Sequence, residues 1–515
     1  MRICSRFAVG FTMLCTAFLS VPASAQDWLE LSIADIMQGY GSGELSSEAL
    51  TRFYLQRIES LDQQLGINAV VTLNPDALTD AIEADQQRSA GNVRGILHGV
   101  PMLIKDNIDV AGLPTTGGSL ALKNNIAGSD AFLVARLREA GAIILGKTNM
   151  AEWAFSPNVT DSSVAGITRN PYNLLHTPAG SSGGTGAGVA ANFAVAGIGT
   201  DTGNSVRGPS SHNGLVGIRS TMGLTSRMGI IPLYLRNDIA GPMARSVADT
   251  ATILQAIAAP DPEDPATRHR PANIDRNYVQ ALRTDSLRGA RIGVMRYYTM
   301  QASIDPAIRT LFEQALADMT AQGAILVEDF GIPGFEELIR DNWCNTFQED
   351  VNQYLSQQTH AFAATSLEQV VASGLFLPSV GDSLGGMIRN ASSNEQCGDL
   401  FENPRNISFR NAVVTAMQNN SVDALVYPTW SHPPRRIGDS SSPTGDNSQH
   451  IAPHTGLPAI TLPMGYNRDG LPAGISLLGP LYSEARLVGF AYSYEQATKH
   501  RRMPVLPPAA VSNSD

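Results

Sequence analysis

The chain reads as an α/β protein, on three observations. Between residues 28 and 145, helical patterns alternate with short apolar strand patterns. The same alternation resumes after residue 290. Between them, the Gly-, Ser- and Thr-rich stretch 178–245 carries apolar runs that a flexible linker would lack.

The elements follow in order. Ser32 and Ser46 each precede an apolar-periodic run (Ile33, Ile36, Met37; Ala49, Leu50, Phe53, Leu55, Ile58), so residues 28–63 are helical with serine caps. Residues 69–73 form a strand and 78–90 a helix. Residues 99–104 are an apolar strand running into Lys105 and Asp106, followed by a helix over 131–140 and a strand over 142–145. A helix is expected at 187–194, with strands at 194–198 and 215–218. Residues 260–275, rich in Pro, Asp and Arg, are a surface loop, and 291–295 restarts a strand. Residues 300–420 alternate helical patterns with loops and carry no motif. Strands at 424–428, 459–463 and 475–479 and a helix near 483–497 complete the chain.

With 515 residues, 43% of them hydrophobic, the chain has ample material for a large core. The net charge of −11 and the absence of a basic stripe argue against nucleic-acid binding. Arg2 and Arg6 precede an apolar run from Phe7 to Val21 and the small-residue site Ala23-Ser24-Ala25. That pattern predicts a signal peptide over 1–25, removed before Gln26, and one domain over 26–515. The apolar run is short for a membrane span, so no stable anchor is expected, and the mature protein belongs in the periplasm or outside the cell. Cys344 and Cys397 then remain, either as a disulfide or as two buried thiols. No C-x-x-C or H-E-x-x-H motif occurs, so no metal site is expected.

Three segments carry candidate chemistry. Lys105 ends an apolar run and is either an exposed strand end or a desolvated amine whose neutral form is a base. Gly180-Ser181-Ser182-Gly183-Gly184 admits a linker, a faint phosphate loop, or a G-x-S-x-G elbow centred on Ser182. In Gly199-Thr200-Asp201-Thr202-Gly203-Asn204-Ser205-Val206-Arg207, Gly203 lets successive N–H groups face one point, as an oxyanion hole requires. A base, a relay and a nucleophile together suffice to hydrolyse an amide or an ester.

In this order and spacing the three segments resemble the amidase signature family: Val-Pro-x-x-x-Lys-Asp, Gly-Ser-Ser-Gly-Gly, then Gly-Thr-Asp-x-Gly-Gly-Ser-x-Arg. Residues 215–223, 241–249 and 456–460 match as flanks, and the resemblance spans roughly 30–500. It implies a mixed central β-sheet flanked by α-helices and a serine amidase needing no cofactor, which the N-terminal signal pattern makes an exported one. By the same resemblance Ser205 is the nucleophile, Lys105 the base, and Ser181, after a cis Gly180–Ser181 bond, the relay. The N–H groups of Thr202, Gly203, Asn204 and Ser205 hold the oxyanion, with Asp201, Arg207 and Ser182 in support. The substrate is a small-molecule or peptide amide, and the assembly a monomer or homodimer. Asn204 departs from the family pattern, which has Gly there, and bears on substrate preference.

His212, His432, His450 and His454 are discounted as bases, and Asp238 is read as bracing a turn. Phe155, Trp343 and Trp430 are read as core packing rather than pocket lining. Specificity is expected to reside in 300–450. The rival readings are an α/β-hydrolase esterase with Ser182 as nucleophile, and an amidotransferase component that hands ammonia to a charged transfer RNA.

Overall fold

The computed structural model describes residues 28–271, 273–274, 276–358, 364–441 and 445–506. The expected signal peptide lies outside the described residues. The serine caps form as predicted. Ser32 starts the helix Ile33–Ser42, its Oγ accepting from the Asp35 N–H while Asp35 accepts from the Ser32 N–H. Ser46 caps Ser47–Arg57 through the Ala49 N–H at 3.1 Å.

In chain order the strands are β1 Val70–Leu73, β2 Pro101–Lys105, β3 Ile143–Thr148, β4 Asp161–Ser162, β5 Gly166–Ile167, β6 Ala196–Asp201, β7 Val216–Arg219, β8 Ile239–Ala244, β9 Arg291–Val294, β10 Ile325–Val327, β11 Ala424–Pro428, β12 Ala459–Tyr466 and β13 Pro472–Leu478. Eleven form one sheet in the order β1-β3-β2-β6-β8-β7-β12-β13-β11-β9-β10, while β4 and β5 pair by themselves. The sheet is mixed. β2 runs parallel to β3 and β6, and β9 parallel to β10 and β11, whereas β8 lies antiparallel to β6 and β7. Helices Ile33–Ser42, Val247–Ile257, Pro306–Ala321 and Glu484–Thr498 add their apolar faces to the main core.

Two local expectations shift. The helix expected at 187–194 forms at Gly183–Ala190, and the strand expected at 194–198 runs over Ala196–Asp201. Glycines disfavour helix intrinsically, so this one is imposed by packing. A Cβ on Gly183 would stand 2.2 Å from Thr160 Oγ1, and one on Gly184 2.2 Å from the Asn149 carbonyl oxygen. Three arginines hold the far end of this helix. Arg57 donates to the Ala191 and Asn192 carbonyls (2.9 and 3.0 Å), Arg245 to the Ala194 carbonyl (2.7 Å), and Arg501 to the Ala190 carbonyl (3.4 Å). Arg501 also straddles Glu30, 2.8 Å to each carboxylate oxygen.

The strand β8 is new. Its Gly241-Pro242 step reads as a turn in sequence, because proline offers no N–H to a ladder. Here Pro242 lies opposite Ile198, and Gly241 leaves space for the Ile218 carbonyl, which a Cβ would meet at 2.0 Å.

A smaller core stands apart from the main one. Helices Phe347–Ser356, Leu367–Ser373 and Pro378–Arg389 pack Phe347, Val351, Leu367 and Leu384 against Trp153 and Ile231. Cys344 and Cys397, on either side of these helices, form a disulfide with Cα atoms 5.8 Å apart. That decides the alternative the sequence left open.

Candidate active site

Parallel neighbours β2 and β6 end side by side, which places Lys105 near the Asp201–Ser205 segment. Lys105 is fully buried. Its Nζ lies 2.7 Å from Ser181 Oγ and 2.7 Å from Thr200 Oγ1. Burial disfavours the ammonium and drives the pKa down to about 7, against the carboxylates of Asp238 and Asp201, which favour charge. The sequence motifs did not mark Thr200 as a site residue, although it lies in the third segment. Thr200 Oγ1 also accepts from Asn107 Nδ2 at 3.2 Å, and Asn107 reaches the Ile231 carbonyl at 3.0 Å.

Ser181 precedes the glycine helix, and the Gly180–Ser181 peptide bond is cis. Gly180 is required there, since a Cβ would come within 2.4 Å of the Ser156 carbonyl oxygen. Ser182, the centre of the elbow reading, is fully buried. Its hydroxyl donates to the Thr200 carbonyl at 3.1 Å and accepts from the Thr200 N–H at 3.3 Å. It therefore fastens the segment to β6.

Ser205 lies at the wall of an open cleft of about 180 Å³. Its hydroxyl donates to Asn204 Oδ1 at 3.2 Å. The N–H groups of Thr202, Gly203, Asn204 and Ser205 have no acceptor among the described residues. These free donors stay in place because the loop is anchored from below. Asp201, wholly buried, accepts from Arg207 Nε (3.1 Å), Arg207 Nη2 (3.2 Å), Arg219 Nη1 (2.9 Å) and the Val206 N–H (3.2 Å). Burial pushes its carboxyl up, but the two guanidinium groups outweigh that and hold it below the usual carboxylate range. Arg207 is the partner the sequence indicated. Arg219, in β7, is a second partner, visible only once β7 is known to lie near β6.

Asp238 accepts from Thr202 Oγ1 and, at 2.8 Å, from the Leu233 N–H. It braces a turn, as expected, and also tethers the Thr202–Ser205 loop. Burial raises its carboxyl to about 6.

The cleft corrects one expectation. Phe155 and Trp343 line it with Tyr234, Leu233, Met387 and Gln449, and no lining side chain is charged. Trp430 stays inside, its ring 4.7 Å from that of His212. Among the discounted histidines, His212 and His454 are driven by burial to about 3, and His450 to about 4. His432 Nε2 pairs with the Ser303 carbonyl at 2.6 Å. None of the four bonds Ser181, Ser182 or Ser205. Among the described residues no group of three or more His, Cys, Asp or Glu is placed to hold a metal ion.

The amidase profile matches residues 49–488, most of the chain and every segment of the site. The protein belongs to the amidase family. The crystal structure of native peptide amidase from Stenotrophomonas maltophilia superposes with a TM-score of 0.83 at 38% identity, covering 93% of this chain and 99% of that one. A protein of Arabidopsis thaliana named "Probable amidase" is 33% identical over 92% of this chain and 91% of its own length. A component of the glutamyl-tRNA(Gln) amidotransferase of Pseudomonas syringae is 35% identical over 92% of this chain and 99% of its own. As an amidase, the protein is a hydrolase of carbon–nitrogen bonds in amides, and its mixed sheet is that of the family.

Proposed function

We propose that this amidase hydrolyses a carboxamide, C(O)–NH2 or C(O)–NHR, through an acyl-enzyme on Ser205. The reading rests on one observation: the Lys105 amine is fully buried 2.7 Å from the Ser181 hydroxyl, and that burial lowers its pKa to about 7. Neutral Lys105 takes the Ser181 proton as Ser181 takes that of Ser205, and the Ser205 alkoxide attacks the carbonyl carbon. The N–H groups of residues 202–205 receive the developing oxyanion without rearrangement. Ser181 returns a proton to the departing nitrogen, so the C–N bond breaks and the amine or ammonia leaves neutral. Water then attacks the ester, passing its proton back along the relay, and the carboxylic acid departs. Because the intermediate is an ester, reactive esters are substrates as well.

Arg2, Arg6, the apolar run and Ala23-Ser24-Ala25 support export to the periplasm or beyond, and a disulfide suits an oxidising compartment. We take the working unit to be a monomer or homodimer acting on small-molecule or peptide amides. The 35% identity to an amidotransferase component supports a second reading, transfer of ammonia within a complex. The export signal and the acidic charge favour the first.

The deciding experiment screens the purified chain against peptide amides, aryl amides, fatty amides and aryl esters. Release of ammonia or amine by the chain alone, lost on Ser205→Ala, supports the reading. Turnover that persists in Ser205→Ala, or that appears only with a partner protein, overturns it.

A further inference from the structure

Gln449 reaches the cleft from the main sheet. It ends the short turn Asn447–Gln449, which is fastened where β11 stops. The Asn447 N–H donates to the Thr429 carbonyl at 3.2 Å, and Asn447 Nδ2 to the Pro428 carbonyl at 2.8 Å. Asp446 caps the turn. Its Oδ1 accepts from the Ser448 N–H at 3.2 Å and the Ser448 hydroxyl at 2.5 Å, and its Oδ2 from Gln449 Nε2 at 2.7 Å. Burial raises the Asp446 carboxyl to about 6, which still leaves it ionised at pH 7. An ionised carboxylate only accepts, so the NH2 end of the Gln449 amide faces Asp446 and Oε1 is turned the other way.

That oxygen lies against the oxyanion loop, 3.4 Å from where a Cβ on Gly203 would stand. It accepts no hydrogen bond among the described residues. Of the two side-chain carbonyl oxygens that the cleft residues offer, Asn204 Oδ1 is already taken by the Ser205 hydroxyl, and Gln449 Oε1 is left. Much of the remaining wall is apolar, from Phe155, Leu233, Trp343 and Met387. A carboxamide that gives its carbonyl oxygen to the N–H groups of residues 202–205 carries its own N–H into this cleft. An unpaired donor there costs binding. An ester with the same acyl group brings no such donor.

We propose that Gln449 is a specificity-determining residue: its Oε1, aimed by Asp446, accepts the N–H of the scissile carboxamide and so selects amides that keep at least one N–H over esters. This rests on the amidase reading above and adds what the site reads on the leaving group. Gln449 neither gives nor takes a proton, so the relay from Ser205 through Ser181 to Lys105 is unchanged.

The test compares phenylacetamide with methyl phenylacetate, which share an acyl group and differ in the N–H. Gln449→Met keeps the length of the side chain and removes the acceptor. It should lower the amide-to-ester ratio of kcat/KM by about tenfold, the scale of one neutral hydrogen bond. A glutamine that only shaped the wall would affect both substrates alike and leave the ratio where it was. Asp446→Asn lets the Gln449 amide turn, and should lower the ratio by about threefold or more. An unchanged ratio in Gln449→Met overturns the proposal, and an unchanged ratio in Asp446→Asn overturns the part given to Asp446. Calorimetric Kd values in a Lys105→Ala background, where turnover is slow, separate this claim from the Ser205 reading. Adding Gln449→Met there should weaken phenylacetamide by about five- to tenfold and hold N,N-dimethylphenylacetamide, which has no N–H, within about twofold. That selective weakening, together with turnover that survives Ser205→Ala, supports Gln449 and removes the Ser205 reading. Equal weakening of both amides, together with turnover lost on Ser205→Ala, does the reverse.

Discussion

If Lys105 works as a neutral base, the rate should follow its deprotonation. A lysine at its ordinary 10.5 would be neutral in only about one molecule in three thousand at pH 7. With the pKa lowered to about 7, half the molecules hold the free amine at that pH. The active form is the deprotonated one, so activity rises with pH. The profile of kcat/KM should stand near a tenth of its plateau at about pH 6, at half near 7 and close to the plateau above about 8. His212, His450 and His454 do not mimic this limb, since burial drives them to about 4 or below. Asp238→Asn removes a carboxylate that stabilises the ammonium, so the midpoint should move to lower pH. Lys105→Ala should lower turnover by about three orders of magnitude or more and abolish the limb, because base and relay act as one unit. The assay is amide hydrolysis from pH 5 to 9, with fluorophosphonate labelling of Ser205 as a second readout. A flat profile with chemistry rate-limiting, or a midpoint near 10, refutes the reasoning.

Ser182→Ala should keep fluorophosphonate labelling while Ser205→Ala abolishes it, the reverse of what an elbow nucleophile requires. Asp201→Asn leaves two buried guanidinium groups facing a neutral amide, and should cost about 3–5 kcal/mol in denaturant unfolding; an unchanged midpoint would show that the pairs are not needed. Asn204→Gly frees the Ser205 hydroxyl from the Asn204 carbonyl oxygen, so labelling should accelerate by about three- to tenfold, the scale of one neutral hydrogen bond. Gly184→Ala should give little soluble protein, since the methyl would stand 2.2 Å from the Asn149 carbonyl oxygen, and normal yield with a normal melting temperature would contradict that packing.

The strands β2, β3, β11, β12 and β13 were legible because each is a continuous apolar run bounded by turn residues. β8 was not, since Gly241-Pro242 imitates a turn, and only the neighbouring strands make room for it. Lys105, Ser181 and Ser205 could be named from motif spacing, and the structure puts the first two in contact. Thr200 and Arg219 reach the site through sheet order, which no local pattern records. Trp343 and Phe155 were misread for a related reason. An aromatic residue looks the same in sequence whether it faces a core or a cleft, and the distinction arises from helices contributed by residues 347–389. The disulfide needed a spatial separation that residue numbers do not contain.

The three arginines at the end of the glycine helix come from Arg57, Arg245 and Arg501, near the beginning, middle and end of the described chain. Ser181 is therefore seated by residues that emerge from synthesis far apart in time. A truncation before residue 501 would retain the sheet and the Arg57 and Arg245 contacts yet remove the Arg501 bonds to the Ala190 carbonyl and to Glu30. Tags or deletions at the carboxyl end are best placed beyond that last guanidinium, which also grips Glu30 near the beginning of the described chain.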